Sequence, residues 1–92
     1  MSDSQFAYFA EAVKDAFFES ARMDLVRAAA ASNSFTVSQV IQIMNIMDFE
    51  SYKIEAAAAM YHSICDYNNW YLVYNALTYS SSSDDLNEMI GL

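Results

Sequence analysis

Phe18-Glu19-Ser20-Ala21-Arg22-Met23-Asp24 returns 31 residues later as Phe49-Glu50-Ser51-Tyr52-Lys53-Ile54-Glu55. A worn third copy, Tyr79-Ser80-Ser81-Ser82-Ser83-Asp84-Asp85, follows 30 residues after that. A near-constant period of this size predicts one supersecondary unit used several times. The units run over residues of about 3–32, 33–63 and 64–92. Each reads as a helical hairpin whose second helix starts at the repeated motif. Ser20, Ser51 and Ser81 stand where a side chain caps that helix. Phe18, Phe49 and Tyr79 stand two residues earlier, where an aromatic ring plugs the corner between the helices.

Outward from the motif, the first helix of each unit shows the same spacing. Phe6, Phe9, Ala10, Val13, Ala16 and Phe17 recur on one helical face, with a cap among Ser2, Asp3 and Ser4. Thr36-Val37-Ser38-Gln39 is a capping box, with Thr36 accepting from the Gln39 amide and the Gln39 side chain reaching back. Phe35 and Val40 have the spacing of a hydrophobic staple. In the last unit Asp66 takes the place of Thr36 and Asn69 that of Gln39. Cys65 and Trp70 take the staple positions, and Trp70, Val73, Tyr74 and Leu77 continue as an α-helical stripe.

Composition agrees with helix throughout. The 92 residues include no Pro and a single Gly, Gly91, and alanines cluster at 28–31 and 56–59. The expectation is one all-α domain over residues 1–92, a compact bundle of about six short helices. Hydrophobic residues make up 55% of the chain, more than a core this small absorbs. Some of that surface is expected to meet a protein partner or a second copy in a homodimer.

The net charge of −8, with four basic residues, argues against nucleic acid and against an anionic membrane surface. No apolar run is long enough to insert in a membrane. Met1-Ser2-Asp3-Ser4 has neither a basic nor an apolar signal region, so the N-terminus reads as cytoplasmic unless a signal peptide has been removed.

The stretch from Phe35 to Ile90 resembles the domain of unknown function 4476 family. The resemblance rests on Gln39-Val40, the Phe49-Glu50-Ser51 corner, Asp66 with Asn69-Trp70, Tyr79-Ser80-Ser81, and Leu86. His62 stands where members often have a proline. The resemblance implies a small helical module with no assigned activity and no catalytic residues. It also implies export, since bacterial members commonly belong to exported proteins.

Few residues point to chemistry. His62, Cys65 and Asp66 have helical spacing for a shared face, but a structural zinc site wants four ligands and the chain has one His and one Cys. Those residues read more simply as a helix end, a staple and a cap. Asp66-Tyr67-Asn68 opens like a calcium loop, yet Tyr71 and Leu77 occupy the positions that need Gly and Glu. Asp84, Asp85 and Glu88 offer an irregular calcium site, or simply favour a helix start. No cofactor and no enzyme activity are expected, and the rival readings are a calcium-binding or small-ligand domain and a Cys65-dependent enzyme. Tyr67 and Tyr71, an i, i+4 pair, together with His62, are the expected contact residues of an interaction surface.

Overall fold

A computed structural model describes residues 1–92. The chain forms α1 (Asp3–Asp15), α2 (Glu19–Ala30), α3 (Val37–Ile46) and α4 (Glu50–Met60). A 3₁₀ turn (Tyr61–Ser63), a longer 3₁₀ helix (Tyr67–Ala76) and α5 (Ser80–Ile90) complete it. The fold is an all-α bundle measuring 31 × 28 × 19 Å. Its helices fall into two rows. One holds α1, α3 and the 3₁₀ helix; the other holds α2, α4 and α5. The rows meet chiefly through α3 and α4, the central pair.

The core follows from that placement. Val37, Val40, Ile43 and Met44 recur along α3, and all four are buried. From α4 come Ile54, Ala56, Ala57 and Met60. The small alanines let α4 sit close to neighbours on several sides. Phe6 and Val13 close the core from α1, Met23 and Val26 from α2, Trp70 and Val73 from the 3₁₀ helix, and Leu86 from α5. Phe35 and Val40 are fully buried at the start of α3, where the staple spacing puts them.

The starts of the first-row helices cluster at one end, the cap end. Ser2 caps α1 through the Gln5 amide at 3.3 Å. Thr36 and Gln39 form the full capping box on α3, with bonds of 3.2 Å and 3.1 Å. Gln39 is buried, and its amide group donates to the Met1 carbonyl at 2.9 Å. Phe35 pairs with Ile64 as a short parallel bridge, made by Phe35 N–H to Ser63 O and Cys65 N–H to Phe35 O.

Several expectations are corrected here. The segment 67–76 winds as a 3₁₀ helix, not an α-helix. Residues three apart eclipse one another in such a helix, so Trp70 and Val73 share the buried face and Tyr67 and Tyr71 do not share one. Cys65 is exposed; its neighbour Ile64 takes the buried place instead. Asp66 precedes the 3₁₀ helix, but its carboxylate does not cap that helix's backbone. One oxygen accepts from the Val37 amide at 2.8 Å, at the start of α3, and the other from the Asn69 side chain at 3.0 Å.

Candidate functional site

The second-row helices start very differently. Phe18, Phe49 and Tyr79 are themselves the N-caps, with φ, ψ of −106°, 145°; −104°, 141°; and −109°, 144°. No side chain caps any of these helices. Ser20, Ser51 and Ser81 lie inside the first turn and point to solvent, so the expected serine caps are absent.

The backbone of two of these corners is held from the preceding helix pair. Glu19, at the start of α2, accepts from the amides of Asp48 and Phe49 at 2.6 and 3.1 Å. Glu50, at the start of α4, accepts from the amides of Thr78 and Tyr79 at 2.7 and 3.2 Å, and from the Ser82 hydroxyl at 2.7 Å. Partial burial pushes the Glu50 carboxyl up, but the bonds from Ser82, Thr78 and Tyr79 outweigh it and hold its pKa below the usual glutamate value. At the matching place in the third corner stands Ser80, with no further corner to hold.

The basic residue three positions after each glutamate serves the other side of the corner. Arg22 donates to the carbonyls of Lys14, Ala16 and Ile46 and pairs with Glu19 and Asp48. Lys53 donates to the Met44 carbonyl at 3.2 Å. Both neutralise helix C-termini, which carry partial negative charge.

The corner rings point outward. Phe18, Phe49 and Tyr79 are 66%, 63% and 63% exposed, so they do not plug the corners. Phe17, 89% exposed, packs edge-on against Phe18 at 5.0 Å. Glu19 beside Phe18 touches Phe49, and Glu50 beside Phe49 touches Tyr79. The corners that carry these rings therefore follow one another along one edge of the molecule, the corner edge.

The residues expected to make an interaction surface lie elsewhere. Tyr67 is partly exposed but tied down: its hydroxyl donates to the Tyr61 carbonyl at 2.7 Å, and its ring packs edge-on against Tyr61. Tyr61 also packs against His62 and Trp70. Tyr71 and His62 are exposed. The Trp70 indole donates to the Tyr74 hydroxyl, which donates in turn to Asn87. That chain joins the 3₁₀ helix to α5 and uses the polar tips of two aromatics internally.

Nothing else gathers into a reactive group. No three of the His, Cys, Asp and Glu side chains converge as a metal site would require. Asp84, Asp85 and Glu88 are exposed on α5. Two shallow grooves flank α3, of about 440 Å³ against α1 and about 350 Å³ against the 3₁₀ helix. No His, Cys, Lys or Arg lines either of them. No helix is long and apolar enough to cross a membrane.

Residues 1–90 match the family described as a domain of unknown function (DUF4476), and the chain belongs to it. The match takes in α1 and α2, beyond the Phe35–Ile90 stretch that carries the resemblance most visibly. No curated protein and no solved structure matches the chain.

Proposed function

We propose that this chain is a non-enzymatic helical interaction module, built from three related helix pairs, whose binding surface is the corner edge. One observation carries the reading: three aromatic rings stand in solvent on backbone of the same conformation. Exposed rings normally lose conformational freedom on binding; Phe49 and Tyr79, mounted on backbone already pinned by Glu19 and Glu50, lose less. Tyr and other large aromatics dominate the energetics of protein interfaces when they are buried there. Tyr71 and His62 are also exposed, away from the corner residues.

The test is a pull-down with the native chain and with the Phe18→Ala/Phe49→Ala/Tyr79→Ala chain, after circular dichroism has shown equal helicity. A set of proteins retained by the native chain and lost by the variant supports the reading. Identical retention by both overturns it. Tyr71→Ala serves as the control, since it removes an exposed ring away from the corners.

A further inference from the structure

Building on the corner edge as the binding surface, we propose that its partner is a basic, extended protein segment carrying a cation about every third residue. Neighbouring packed helices lie roughly 8–10 Å apart, so successive corners are separated by about that distance. A chain in the extended polyproline II conformation covers this in about three residues, at roughly 3.1 Å each, and returns every third side chain to the same face. A lysine or arginine at that spacing meets one ring after another, and each ring face attracts a cation.

The charges around the rings select the same partner. Of the four basic residues, Arg22, Arg27 and Lys53 are occupied by internal bonds. Lys14, the remaining one, is exposed beside Asp15. Carboxylates by contrast stand free in solvent at Asp15, before the first corner, and at Asp84 and Asp85, one turn beyond the third. Asp48, in the second corner, has a side chain 75% exposed despite its contact with Arg22. An approaching cationic segment therefore meets an edge whose exposed charges are mostly negative, and uncompensated at Asp84 and Asp85. A second copy of this chain brings another −8 and no basic stripe, which makes it the wrong occupant.

The probe is a fluorescently labelled peptide of repeating Arg-Ser-Ala units, long enough to span the three corners, read by anisotropy. Its comparison is a peptide of the same composition with all arginines gathered at one end. The spaced peptide is expected to bind the native chain more tightly than the gathered one. Phe18→Ala/Phe49→Ala is expected to weaken it about tenfold, two rings' worth of cation–π attraction. Asp48→Asn is expected to weaken it about twofold, with the loss vanishing at high salt. No binding of the spaced peptide, equal binding of the two peptides, or equal binding to the ring variant overturns the proposal. So does a concentration-dependent dimer in sedimentation that the ring variant loses. A failed peptide beside a pull-down that still depends on the rings overturns the basic partner alone; failure of both removes the interaction reading as well.

Discussion

The cap end and the corner edge solve the same problem in opposite ways. Both must satisfy the open amides at the starts of helices. At the cap end the work is mostly local: Ser2 and Thr36 bond amides three residues ahead, and Gln39 bonds back. At the corner edge it is remote: Glu19 and Glu50 reach amides 28 to 30 positions further along the chain. A local cap leaves its residue busy with its own helix. A remote one frees the residue at the N-cap position to be anything the backbone allows, and there the chain has placed Phe49 and Tyr79. The difference between the two regions is thus also the difference between structure and candidate function.

Breaking the remote side should have the largest effect. Glu50→Ala removes three bonds to a carboxylate and is expected to cost about 2–3 kcal/mol. In a domain of this size that lowers Tm by on the order of 10–20 °C, measurable by calorimetry. The Glu50 contribution is also pH-dependent. Its folded pKa lies below the ordinary 4.5, so the stabilisation is complete above that value and is lost as pH falls through the lowered pKa. Glu50→Gln should flatten the acid side of a denaturation series; an unchanged slope would show that the carboxylate is not what holds the third corner.

Thr36→Ala tests the local side and should cost about 1 kcal/mol, half or less of the Glu50 effect. Urea unfolding of the two single variants and the double variant sharpens the contrast. The losses should add to within about 0.5 kcal/mol, because the two groups share no partner. Ser51→Ala and Phe49→Ala should have the smallest effect on folding, each within about 0.5 kcal/mol. A large loss for Ser51→Ala would restore the serine cap; a large loss for Phe49→Ala would return the ring to a packing role.

How much of this the sequence discloses depends on the range of each contact. The α3 capping box is legible because both of its bonds join residues three apart, and side-chain type alone announces it. The buried stripe of α3 is legible for the same reason. The 3₁₀ helix misleads, since Trp70 and Val73 are three apart and fit either an α or a 3₁₀ turn. The spacing of Tyr74 and Leu77 tilts the reading toward α. Asp66 looks like its own helix's cap because nothing local reveals that the Val37 amide competes for it. The glutamate contacts are hidden further, because their partners are backbone amides, which every residue type supplies. A signal was nonetheless present: glutamate follows the aromatic in the first two copies and yields to Ser80 in the last, and the period matches the reach of each contact. The exposed rings are hidden as well, because an aromatic before a helix reads as a plug when the corner is assumed to need one.

The glutamate contacts also have a direction, and it matters while the chain is being made. Each carboxylate belongs to an earlier helix pair and each corner it holds to a later one. On a ribosome delivering roughly 5–20 residues per second, Glu19 emerges a few seconds before Phe49, and Glu50 a similar interval before Tyr79. Helices form in about a microsecond, so each pair has time to take shape before the next corner arrives. Every new corner then meets an acceptor already presented by the segment ahead of it, and none has to wait for residues not yet synthesised.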